Sequence, residues 1–117
     1  MSILFIINDP PYGSEKAYNA LRLIMSLQAR HPDAQVLIFL LSDAVGCALV
    51  NQSAPQGYYN IGRMLETVIK KGAKVKACTT CLIARGMKEL KLVEGVEASN
   101  MNELANWIVE SEKVLTF

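Results

Sequence analysis

Short unbroken apolar runs, alternating with amphipathic helical stripes, predict an α/β fold: a three-layer α/β/α domain around a mostly parallel sheet of about five strands. Two observations carry this prediction. Ile3–Ile7 and Val36–Leu41 are continuously apolar rather than alternating, the pattern of strands covered on both faces. Between such runs, apolar residues recur at helical spacing, so each strand leads into a helix and right-handed crossovers make the sheet parallel. These patterns leave the strand order open.

The elements follow in chain order. Ile3–Ile7 is closed by the turn-forming Asn8-Asp9-Pro10-Pro11. A helix then opens with Ser14 as its N-cap and Glu15 near its positive end, and turns Ala17, Ala20, Leu21, Ile24 and Leu27 inward until His31-Pro32 stops it. Val36–Leu41 is the second strand, and Ser42-Asp43 caps a short helix through Ala44, Val45, Ala48 and Leu49. Asn51–Gly57 is the one extended polar loop. The next helix is the clearest, with Ile61, Met64, Leu65, Val68 and Ile69 on one face, Lys70 and Lys71 at its negative end and Gly72 at C′. Ala73–Cys78 is a third strand running into a short helix over Thr79–Gly86, and a short fourth strand lies around Val96. Asn100-Met101-Asn102-Glu103 reads as a capping-box variant opening a helix with Met101, Leu104, Ala105 and Ile108 inward, and Lys113–Phe117 is the last strand.

Length and composition bound the function. At 117 residues the chain makes one domain, since single cores divide only beyond roughly 250–300 residues. Twelve Lys+Arg against eleven Asp+Glu, with no basic block, gives no support for general nucleic-acid binding. The longest apolar run is six residues, Val36–Leu41, where a membrane-spanning helix needs about 20. No basic region precedes Ile3–Ile7, so the start does not read as a signal peptide, and three cysteines read as cytosolic thiols rather than a disulfide framework. A cytoplasmic protein is expected.

In a parallel sheet, reactive groups gather beyond the carboxyl ends of the strands. Three segments reach that edge: Asn8–Ser14, Ser42–Cys47 and Cys78–Cys81. Cys78 closes a strand, and Thr79 or Thr80 can cap the helix after it, which sets the sulfur near unpaired N–H groups. Such positions can lower a thiol pKa from about 8.5 to roughly 3.5–7.5. A small buried apolar role accounts for the same residue equally well. Cys81 follows at Cys-x-x-Cys spacing, compatible with a disulfide, a resolving thiol or half of a zinc site.

A zinc site takes about four ligands, and the other candidates are Cys47, which reads as packing, and His31, at the opposite sheet edge. No metal site is expected. The Pro10–Ser14 loop lacks both the G-x-G-x-x-G and the P-loop patterns, and its prolines remove N–H donors, so no nucleotide cofactor is expected. Arg85 stands nearly two helical turns after Cys78, open to an anion, a partner chain or solvent. Tyr58-Tyr59 suits an interface or the start of the third helix.

Six segments together resemble a known family. They are Pro11-Tyr12-Gly13-Ser14-Glu15, Leu41-Ser42-Asp43-Ala44-Val45, Gly57-Tyr58-Tyr59-Asn60-Ile61, Cys78-Thr79-Thr80-Cys81 before Arg85-Gly86, Gly95-Val96-Glu97, and Lys113–Phe117. In this order and spacing the chain resembles the DsrE/DsrF-like proteins, and within them the small YchN-like branch. The resemblance implies a parallel α/β fold, homo-oligomers (a trimer or hexamer) and no bound cofactor. It also implies a sulfur-relay role in which Cys78, seven positions before Arg85-Gly86, carries a persulfide and passes its sulfur to a partner thiol. Donor and acceptor proteins would be its partners. Cys81 departs from the relay members, although the YchN-like branch is similar in having it.

Three functional readings follow. The first is sulfur transfer on Cys78, with Tyr12, Ser14, Arg85 and Cys81 around it. The second is a dithiol redox switch of Cys78 and Cys81. The third is a non-catalytic oligomeric binding module whose cysteines only pack.

Overall fold

A computed structural model describes residues 1–117. Five strands form one sheet: β1 (Ser2–Ile7), β2 (Gln35–Leu40), β3 (Lys74–Cys78), β4 (Val96–Ser99) and β5 (Lys113–Thr116). All neighbouring pairs are parallel, in the order β4-β3-β2-β1-β5. Between them run α1 (Lys16–Arg30), a 3-10 helix (Ser42–Ala48), α2 (Ile61–Lys70), α3 (Thr79–Ala84) and α4 (Met101–Glu110). No helix is long and apolar enough to cross a membrane.

The strand order explains the layering. From β1 to β4 the chain steps outward in one direction, so right-handed crossovers put α1 and α2 on one face. From β4 it returns past β1 to the other edge, so α4 crosses on the opposite face. Strand side chains alternate between the two layers. Ile3, Phe5, Ile7, Val36, Ile38, Leu40, Val75 and Ala77 join a 22-residue core under α1 and α2. Leu4, Leu37, Phe39 and Cys78 join Leu104 and Trp107 in a smaller core under α4. Trp107 sets its ring edge-on to Phe39, with centroids 6.2 Å apart, and carries the Lys76 ammonium 4.5 Å above its face.

Several helix ends differ from the sequence reading. Glu15, not Ser14, is the N-cap of α1, and no side chain caps that helix. The Ser14 hydroxyl instead donates to Asp9 at 2.7 Å and accepts from the Lys16 N–H at 3.3 Å, which closes the turn after β1. The segment after β2 winds as a 3-10 helix entered from Leu41, with Ser42 at φ +53° and no side-chain cap. Asn60 caps α2 as an acceptor for the Arg63 N–H, and Asn100 does the same for Glu103. The box at α4 stays one-sided because the Glu103 carboxylate turns to pair with Lys76.

The buried face of α4 also differs. Leu104 and Trp107 are buried, whereas Met101, Ala105 and Ile108, expected inward, are exposed. One helix covering this face meets the sheet along a narrow stripe, and the large Trp107 indole fills the depth that Ile108 would otherwise reach. Gly72 occupies C′ of α2 at φ +106°, a left-handed position open to glycine without strain.

Candidate functional site at the carboxyl edge of the sheet

Cys78 is the last residue of β3 and itself the N-cap of α3. Thr79 and Thr80, the two expected caps, both lie inside the helix, and the Thr80 hydroxyl meets the Cys78 Sγ at 3.1 Å. Cys78 is 3% exposed, under the smaller core. Burial pushes its pKa up, but the donors together outweigh burial and hold it below the ordinary 9.0. They are the Thr80 hydroxyl, the Cys81 thiol and the backbone N–H groups of Cys81 and Thr80.

Cys81 moves the other way. Burial raises its pKa, and donating to Cys78 and facing its charge raise it further, against lowering by the Ser42 N–H and Arg85. The first proton of the pair therefore leaves Cys78, while Cys81 keeps its own and directs it at the neighbouring sulfur. Cys81 is partly exposed and accepts the Ser42 N–H at 3.2 Å, a link between the β2 edge and α3.

Arg85 closes the group without touching Cys78. Its Nε donates to Asp43 at 2.8 Å and its Nη1 to the Cys81 carbonyl at 3.1 Å. The Asp43 carboxylate takes up much of the guanidinium charge, so what reaches the thiols falls on Cys81 rather than Cys78. Thr80, Ser42 and Asp43 were not singled out as site residues from the sequence. Their signal was positional only, in two of the three segments that the fold places at this edge.

Tyr12 and Ser14 are not hydrogen-bonded to the thiols. The Tyr12 hydroxyl donates to Gln52 at 2.7 Å and accepts from the Ile61 N–H at 3.2 Å. Tyr12 stacks on Tyr59, which stacks in turn on Tyr18 with centroids 3.9 Å apart. Tyr12 and Tyr59 border a separate pocket of about 320 Å³ closed by Ser53, Pro55 and Tyr58. Ser14 is held by Asp9.

Cys47 is 1% exposed and burial pushes its pKa up to about 12, so it stays a thiol and packs. His31 borders a groove with Met1 and Lys113 at the amino edge of the sheet, far from the cysteine pair. Nowhere in the fold do three His, Cys, Asp or Glu side chains converge as metal ligands.

Known proteins share this fold. The chain is 42% identical over 115 residues to YchN of Escherichia coli K12, covering 98% of this chain and 97% of that one. An uncharacterised protein of Methanopyrus kandleri is also 42% identical over 115 residues, covering 98% and 93%. The crystal structure of the E. coli ychN protein superposes with a TM-score of 0.95 at 41% identity, covering 100% of this chain and 99% of that one. The model of the DsrE/DsrF-like family matches residues 1–117, and the chain belongs to that family.

Proposed function

We propose that this protein transfers sulfane sulfur, with Cys78 as the carrier. The supporting observation is the Thr80 hydroxyl 3.1 Å from the Cys78 sulfur, which together with the Cys81 thiol holds the Cys78 pKa below its ordinary 9.0 and favours the thiolate. Thiolate is the nucleophile in sulfur exchange. The Cys78 thiolate attacks the outer sulfur of a donor persulfide, R–S–SH. A Cys78–S–SH bond forms, the donor S–S bond breaks, and the donor leaves as R–S⁻. An acceptor thiolate then attacks the outer sulfur, takes it as its own persulfide and returns Cys78 to thiolate. Neither step changes the net oxidation state, and neither uses a cofactor. Because Cys78 is nearly covered, donor and acceptor approach past the partly exposed Cys81.

Cys81 provides a second outcome. Its thiolate can attack the inner sulfur of Cys78–S–SH, forming a Cys78–Cys81 disulfide and releasing HS⁻; a thiol reductant then restores the pair. This dithiol branch is favoured by the Cys-x-x-Cys spacing at the start of α3, where each thiol shifts the pKa of the other.

Incubation with a small-molecule persulfide should add one sulfur atom to the intact mass. Cys78→Ser should gain none, and Cys81→Ser should keep its added sulfur several-fold longer than the parent protein. Equal loading of Cys78→Ser rejects the assignment. Self-assembly is part of the same reading: the exposed apolar surface of α4 and β5 suits contacts between copies in a trimer or hexamer.

A further inference from the structure

Ser99 closes β4 as Cys78 closes β3, and the two are partners in the parallel register. Register partners on neighbouring parallel strands point to the same side of the sheet, across a spacing of about 4.8 Å. The preceding same-side pair, Lys76 and Glu97, lies on the face where Lys76 meets Trp107 of α4. Cys78 packs on that face with Leu104 and Trp107, so the Ser99 side chain projects into the same layer. Ser99 is 5% exposed, and its hydroxyl has no hydrogen-bond partner. Folded proteins rarely leave a buried hydroxyl unpaired, and such a group calls for a specific explanation.

The chemistry of the neighbouring thiol supplies one. A persulfide places a second sulfur about 2.05 Å beyond Sγ, and that outer atom carries the negative charge once ionised. Thr80 already serves the inner sulfur. We propose that the Ser99 hydroxyl is a positioning donor for the outer sulfur of a Cys78 persulfide, an inference that rests on the sulfur-transfer reading above. The hydroxyl is unpaired in the thiol form because its acceptor is the atom that loading delivers. Donation to the anion favours its charged form and fixes the direction in which the outer sulfur faces an acceptor.

The test compares the full-length protein with Ser99→Ala and Ser99→Thr, each loaded with inorganic polysulfide. Its terminal sulfur transfers to Cys78 while the shortened polysulfide leaves with the electron pair. All three proteins should gain one sulfur. The pH at which the persulfide becomes half-reactive toward an alkylating agent should rise by about one unit in Ser99→Ala and return toward the parent value in Ser99→Thr. Unloaded Ser99→Ala should melt no lower than the parent protein, because in the thiol form the hydroxyl has no bond to lose. An unchanged pH profile in loaded Ser99→Ala, or a fall in melting temperature equal in loaded and unloaded forms, overturns the assignment of Ser99. Failure of the parent protein to gain sulfur overturns the transfer reading and, with it, this one.

Discussion

Three cysteines in one small domain differ in how tightly they hold their protons because their neighbours differ. Cys47 lies among Ala44, Val45 and Ala48 in the larger core, where burial opposes charge and its pKa rises from 9.0 to about 12. The native state therefore keeps this proton over a range in which the unfolded chain has released it. Its contribution to stability is complete below pH 9.0 and is lost as pH climbs toward about 12. The cost is about 1.4 kcal/mol for each pH unit that separates the two values. In alkaline urea titrations between pH 9 and 11, Cys47→Ala should lose stability less steeply with pH than the parent protein; equal slopes would contradict this. Cys78 has the opposite sign. Its depressed pKa contributes stability that is present above 9.0 and fades as pH falls through the lower folded value.

At the scale of elements, the asparagine caps decide how securely α2 and α4 begin. Asn100 makes one capping bond, to the Glu103 N–H at 3.0 Å. Asn60 makes the equivalent bond to the Arg63 N–H at 3.0 Å, and its amide also donates to the Gln52 carbonyl at 2.9 Å. Gln52 in turn accepts from Tyr12 and from the Gly62 N–H, so the polar loop, the tyrosine cluster and the start of α2 hang together. Loss of a cap costs about 1 kcal/mol, and loss of a further part-buried hydrogen bond about as much again. Asn60→Ala should therefore lower the urea midpoint about twice as far as Asn100→Ala at equal protein concentration. Equal losses would show that the Gln52 bond contributes nothing.

The whole molecule buries its two cores fully and yet leaves apolar surface in water. A radius of gyration of 13.2 Å matches the roughly 13 Å expected for a closed domain of this length, so loose packing is not the reason. Every residue of β5 is exposed, including Val114 and Leu115 on an unpaired sheet edge. On α4, Val109 is 85% exposed beside Ile108. Edge strands of this kind are ordinarily covered or blunted, and self-association is the covering we propose. Light scattering at micromolar concentration should return a multiple of the monomer mass, and a monomer mass would reject it. A charge placed at the centre of the α4 surface, Val109→Lys, should weaken assembly while leaving the monomer fold intact.

Much of this architecture was legible in the sequence because its determinants are local. Continuous apolar runs marked β1 and β2, helical spacing marked α1 and α2, and Cys78 at the end of a strand placed a thiol at the reactive edge. The family resemblance is matched by the chain's membership of that family, while the sulfur role it implies for that thiol is a proposal. Local pattern could not say which strands are neighbours, because pairing and register are set by contacts between distant segments. The strand order sets β3 beside β4, and their register brings Ser99 alongside Cys78. Tertiary contacts also bring the Ser42 N–H to Cys81, send Arg85 to Asp43, and give Tyr12 to Gln52 rather than to the thiols. Local pattern marked where a thiol would stand at the carboxyl edge of the sheet, and only long-range packing decided which donors surround it, since hydrogen bonds form between whatever groups the fold brings within reach.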